Sequence, residues 1–178
     1  MSHLRLHRIA RALALAGALG VFGPAARADL VTYLPMDGDL ADEGPAGNDG
    51  QFFGDLDPTF EAGFDGVGDA LTLDGVDDYV LLTPNVGLPL THSPQFTIAL
   101  WVKGPSFQDD KRVFSESSDI SGTPLWNIGT HNDATDGTVD GYIRHTGVTP
   151  MEHRHSTGAA FDDTWHHIVW VDDDGWAS

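Results

Sequence analysis

Seven Asp-Gly dipeptides punctuate the chain, at Asp37-Gly38, Asp49-Gly50, Asp65-Gly66, Asp74-Gly75, Asp136-Gly137, Asp140-Gly141 and Asp174-Gly175. Asp tolerates a positive φ and glycine adopts one without steric cost, so the pair favours the tight turns that reverse neighbouring strands. Between the dipeptides lie short runs rich in β-branched and aromatic residues: 30–34, 51–53, 70–73, 79–82, 96–102, 112–115, 125–128, 141–144 and 165–171. The run at 96–102 places Phe96, Ile98, Leu100 and Val102 on one face and Thr97, Ala99 and Trp101 on the other. Neither face is strongly polar, so both are expected to be covered, as in a strand of a two-sheet stack. Beyond residue 28 no stretch shows a 3.6-residue apolar period, and an α/β fold would need crossover helices. The expected fold class is all-β and antiparallel.

The first 28 residues read differently. Arg5, Arg8 and Arg11 make a basic start, and residues 12–23 form an unbroken run of small and apolar side chains. Pro24 breaks any helix there, and Ala26-Arg27-Ala28 sets small residues at the −3 and −1 positions of a cleavage site. This is the layout of a secretory signal peptide cut after Ala28, with the chain secreted or held at the cell surface. A membrane anchor would need about 20 apolar residues to cross the bilayer. The 12 at positions 12–23 fall short, and no later segment is apolar enough, so no membrane insertion is expected after cleavage.

From Asp29 onward the chain carries all 27 acidic residues but only five of the nine Lys and Arg, a net charge of −22. Such a surface repels phosphates and anionic lipid headgroups, which argues against nucleic acid and membrane surfaces as partners. It suits a solvated exported domain and one that binds divalent cations. The absence of cysteine excludes thiol chemistry and leaves stability to core burial, with metal as a further support.

Three segments, taken in order, resemble the laminin G-like members of the concanavalin A-like lectin/glucanase superfamily. The first is Leu30-Val31-Thr32-Tyr33-Leu34-Pro35-Met36-Asp37-Gly38 with Ala41-Asp42 and Gly47-Asn48-Asp49-Gly50, similar to the family's opening strand and the loop after it. The second, Ala70-Leu71-Thr72-Leu73-Asp74-Gly75-Val76-Asp77-Asp78-Tyr79-Val80, resembles a hairpin of the family. The third pairs Phe96-Thr97-Ile98-Ala99-Leu100-Trp101-Val102-Lys103 with Thr164-Trp165-His166-His167-Ile168-Val169-Trp170-Val171. The resemblance implies a two-sheet antiparallel jelly-roll sandwich over residues 29–178. Family members continue beyond a strand such as 165–171 with a returning strand, whereas only Trp176, Ala177 and Ser178 follow the Asp174-Gly175 turn, so a partial domain is expected.

Calcium takes six to eight oxygens from carboxylates, amides and carbonyls gathered by a loop that can curl. Asp42, Asn48 and Asp49 are the candidate ligands, and the resemblance favours Asp42 because many family members hold calcium near this loop. The loop here reads Asp42-Glu43-Gly44-Pro45-Ala46-Gly47-Asn48, without the Ser and first Asn of the family's usual run. His153-Arg154-His155 sets two imidazoles on one strand face, with His145, His166 and His167 near in sequence. Zinc would need three or four converging ligands. Packing and hydrogen bonding on a strand is the alternative that the family-like Trp-His-His pattern implies.

Laminarinase-like enzymes of the superfamily set alternate acids on one strand face at glycosidase spacing. Of the four Glu after residue 28 (Glu43, Glu61, Glu116 and Glu152) none has an acid two positions away. No nucleophile elbow or phosphate-binding loop is present either. The function expected is therefore an exported, non-catalytic recognition module, calcium-stabilised, that binds glycans or extracellular protein partners. A glycoside hydrolase of the same superfamily and a structural or adhesive unit of a larger surface protein are the alternatives. For stacking on a sugar, Trp126 and Trp176 read as the least core-like tryptophans, while Trp101, Trp165 and Trp170 sit in strand runs and read as core.

Overall fold

The computed structural model describes residues 29–86, 95–117, 125–144 and 152–173. The leader at 1–28, His145, the Asp174-Gly175 turn and Trp176 lie outside these residues. Among the described residues there is no α-helix, and every strand pair is antiparallel. No described helix is long and apolar enough to cross a membrane. The strands are β1 (Asp49–Phe53), β2 (Thr59–Ala62), β3 (Asp69–Thr72), β4 (Tyr79–Thr83) and β5 (Gln95–Val102). They continue with β6 (Arg112–Ser117), β7 (Leu125–Thr130), β8 (Thr138–Arg144), β9 (Glu152–Ala159) and β10 (His166–Asp173). β6-β7-β8-β9 form a four-stranded meander, while β1 pairs with β4, β2 with β3, and β10 with β5.

The core lies between the four-stranded sheet and the β10-β5 pair. Alternation along β7 and β8 turns Trp126, Ile128 and Ile143 to one face, where Phe96, Ile98, Ile168 and Trp170 meet them with Phe114 and Val139. Trp126 sits at the centre, its ring 5.0 Å from Phe96, 5.1 Å from Phe114 and 5.7 Å from Trp170. At 1% exposure it is the reverse of a free sugar platform, which corrects the sequence reading of this residue. The reason is positional: β7 has a strand on each side, so its inward residues have no route to solvent.

β5 is corrected in the other direction. Phe96, Ile98, Leu100 and Val102 do turn inward, but Thr97 and Ala99 are exposed and Trp101 is 48% exposed. Trp101 is partly shielded by a stack on Phe64 (4.0 Å) and by His167 (4.9 Å) rather than by a second sheet.

The Asp-Gly dipeptides divide into two kinds. Asp65-Gly66 makes the expected reversal, at φ 56° and 71°, within the 3-10 turn Phe64–Gly66 that joins the paired strands β2 and β3. Asp49-Gly50 and Asp140-Gly141 instead lie inside β1 and β8. There the glycine serves close approach: a Cβ on Gly141 would collide with the Trp170 indole, and one on Gly50 would lie 2.7 Å from Val80 Cγ1. The 70–80 segment is not a hairpin, because β3 pairs with β2 and β4 with β1. Residues 30–34 form no strand, although Tyr33 and Val31 carbonyls accept from Glu43 and Ala46 N–H groups.

Candidate functional site: a polar groove on the four-stranded sheet

The alternation that buries Trp126, Ile128 and Ile143 sends their neighbours to the opposite face. There Asn127 of β7 stands in register with Tyr142 of β8, which in turn opposes His153 of β9. One step along, Asp140 opposes His155. Together with Arg112 and Arg144, the side chains of Asn127, Asp140, Tyr142 and His153 line a concavity of about 270 Å³. All stand on strands, whose paired backbones fix their spacing more tightly than a loop would.

Asp140 is the buried acid of this face, at 5% exposure. Its Oδ2 lies 2.8 Å from His153 Nδ1 in a hydrogen bond. Its Oδ1 lies 3.2 Å from His155 Nε2, yet that buried oxygen has no hydrogen-bond partner, since the contact lacks the necessary angle. His153 packs on the Tyr142 ring at 4.6 Å, and His155 packs on His131 at 3.8 Å. His131 is held in turn by Asp136 Oδ2 (3.4 Å) and Thr138 Oγ1 (3.2 Å). The Thr138 hydroxyl and N–H, with a smaller contribution from His131, hold the Asp136 carboxyl down to about 2. Asn127 bridges Ser115 Oγ at 2.6 Å and, in the amide orientation that satisfies both of its ends, accepts from Arg112 Nε at 3.1 Å.

The calcium candidates do come together, but as a hydrogen-bonded clamp. Asp42 Oδ1 accepts from the N–H groups of Tyr33 and Gly44, both at 2.7 Å, and Oδ2 accepts from Asn48 N at 2.7 Å. Burial raises the Asp42 pKa, but these donors and the Thr32 hydroxyl outweigh it and hold the carboxyl below its ordinary value. Asp49 Oδ1 accepts from Asp42 N at 2.9 Å. Asn48 is fully buried, donates to Thr32 Oγ1 (2.7 Å) and Val86 O (2.8 Å), and accepts from Val86 N (2.6 Å). Both oxygens of Asp42 thus accept N–H donors, whereas these bonds engage only Oδ1 of Asp49.

A second acidic group, Asp74, Asp77 and Asp78, gathers carboxylate oxygens within 4.8 Å of one another. Asp74 Oδ1 is engaged by Val76 N at 2.7 Å and less closely by Asp77 and Asp78 N–H groups, while Asp78 Oδ2 accepts from Asp74 N. Among the described residues His166 and His167 follow the packing role: His166 Nε2 lies 2.9 Å from Asp162 Oδ1, and His167 packs against Trp101 in a tilted contact.

Sequence reasoning placed His153 and His155 on one strand face but missed Asp140 and the full extent of β9. Glu152–Ala159 carries little apolar content, and Asp140 was hidden in a dipeptide read as a turn. The available signal was the alternation His153-x-His155 opposite Asp140-x-Tyr142, visible only once the register is known.

No family model, curated protein or solved structure matches this chain.

Proposed function

We propose that the chain is an exported, non-catalytic recognition module that binds glycans in the groove of the four-stranded sheet. The observation that carries this reading is the groove lining, where Arg112, Asn127, Asp140, Tyr142, Arg144 and His153 converge on one concave surface. A sugar offers many hydroxyls that both donate and accept, and a rigid mixed set of donors and acceptors beside an aromatic ring is the matching surface. The ordered segments that resemble the laminin G-like family support a jelly-roll connection of the sheets and a partner outside the cell. The basic and apolar start of the chain supports export.

An extracellular protein partner or a purely adhesive role remains the second reading for the same module, favoured by the exposed apolar face of β5 and β10 at Trp101, Val169 and Val171. A glycoside hydrolase needs two carboxyl groups across a cleft. Two carboxyl groups do line the groove, Asp110 and Asp140, but Asp110 lies 3.6 Å from the Arg112 guanidinium and Asp140 is buried and hydrogen-bonded to His153, which supports the non-catalytic reading. Calcium at Asp42, Asn48 and Asp49 enters only as a stabilising ion, and at Asp42 it would compete with the N–H donors described above.

A glycan array probed with the chain tests the proposal, with Arg144→Ala and Tyr142→Ala as companions. Selective glycan binding lost in both variants is the expected result. Binding unaffected by either variant would move the site off the groove, and release of reducing sugar from a polysaccharide would restore the hydrolase reading.

A further inference from the structure

Asp140, His153 and His155 form a constellation in which packing leaves one buried oxygen of Asp140 without a partner. A buried carboxylate needs a partner, and the 2.8 Å hydrogen bond from His153 Nδ1 to Oδ2 supplies one. What it leaves over is Oδ1, buried and without a hydrogen-bond partner, beside an imidazole nitrogen at 3.2 Å that is misaligned for a hydrogen bond. Two groups able to offer lone pairs therefore face the same small space, and neither satisfies the other. The three donor atoms all lie within 4.8 Å of one another.

We propose that Asp140, His153 and His155 bind a zinc-like divalent transition-metal ion. A tetrahedral ion held at about 2.0–2.2 Å from nitrogen and oxygen ligands keeps those ligands roughly 3.3 Å apart. The 2.8 Å and 3.2 Å separations here need only small side-chain rotations to reach that spacing. Two imidazoles and one carboxylate form a ligand set for zinc and its neighbours in the first transition row. The same set disfavours calcium and magnesium, which want oxygen throughout.

The support around the ligands is fixed by the sheet. Asp140 and His155 are directly opposed across the β8-β9 pair, with His153 two residues along the same face. The His131 ring, itself held by Asp136 and Thr138, packs against His155 in a tilted contact at 3.8 Å and limits its rotation. His155 remains exposed enough for an ion to enter. On binding, the ion takes the position on His153 Nδ1 that faces Asp140, and the neutral ring carries its single proton on Nε2. Three protein ligands leave coordination positions open, and because Asp140 and His153 also line the groove, an oxygen donor bound there can reach the ion. The site stands independently of the glycan proposal.

The test uses the untagged chain, stripped with chelator and dialysed against zinc, with bound metal measured by mass spectrometry and cobalt(II) followed by its visible absorption. Equimolar zinc and a tetrahedral cobalt spectrum are expected. His155→Ala and Asp140→Asn should each weaken zinc binding by about 100-fold or more. His166→Ala, whose ring is paired with Asp162, should leave it unchanged. Nitrogen chemical shifts of the wild-type histidines give a readout that does not depend on a variant folding: zinc should move His153 Nδ1 and His155 Nε2. Failure to retain zinc, unmoved shifts at His153 and His155, or equal weakening by His166→Ala would each overturn the proposal.

Discussion

Asn48 separates the two roles open to the loop between residues 42 and 49. As a calcium ligand it would matter only when the ion is present. As a clamp it matters always, because its amide ties Thr32 to Val86 through three hydrogen bonds while itself fully buried. Each such bond is worth about 0.5–1.5 kcal/mol net. Val86 is half exposed, so water can rescue its N–H and carbonyl after truncation, which places the total toward the middle of that range. Asn48→Ala should therefore cost about 2–4 kcal/mol. At this chain length that corresponds to a fall in Tm of roughly 5–15 °C. The measurement is thermal and urea unfolding of both proteins in chelator and again in millimolar calcium. The clamp predicts the full loss in chelator. Identical curves in chelator, with a difference appearing only in calcium, would refute the reasoning and return Asn48 to the ligand set.

Further outcomes follow from the core and from the carboxylates. Gly141→Ala should destabilise by about 1–3 kcal/mol or more, since its Cβ has no room beside the Trp170 indole, and Gly141→Ala combined with Trp170→Phe should recover part of that in a double-mutant cycle. Trp126→Ala should cost about 3–5 kcal/mol as a core truncation, whereas Trp101→Ala, on a half-exposed ring, should cost less than half as much by denaturant midpoint. Acid titration of stability should fall between about pH 4 and pH 2. Asp136 is held down to about 2 in the folded chain, and Asp42 and Asp162 also lie below their ordinary values, so each contributes above the unfolded value near 3.8 and loses that contribution as protons bind the folded form. Asp136→Asn should make this acid slope shallower, and an unchanged slope would remove the Thr138 contact as its cause.

Local chemistry was enough to make this chain all-β. Strand-forming runs at 51–53, 70–73, 79–82, 96–102, 112–115, 125–128, 141–144 and 165–171 each fall within or overlap an observed strand, because β-branched and aromatic residues fit a pleated, half-buried surface. Only the run at 30–34 does not. Asp65-Gly66 likewise turns for a reason internal to the dipeptide. Partnership was not legible. That β3 joins β2 instead of β4, that Trp126 is the most enclosed tryptophan among those described, and that Gly141 yields to Trp170 all depend on which strands neighbour which. The same holds for the groove. His153 and His155 declare a common face by their spacing of two, but only the register of β8 against β9 brings Asp140 between them. A period of two assigns a side chain to a face and carries no information on what stands opposite, and a cluster of ligands is a fact about what stands opposite.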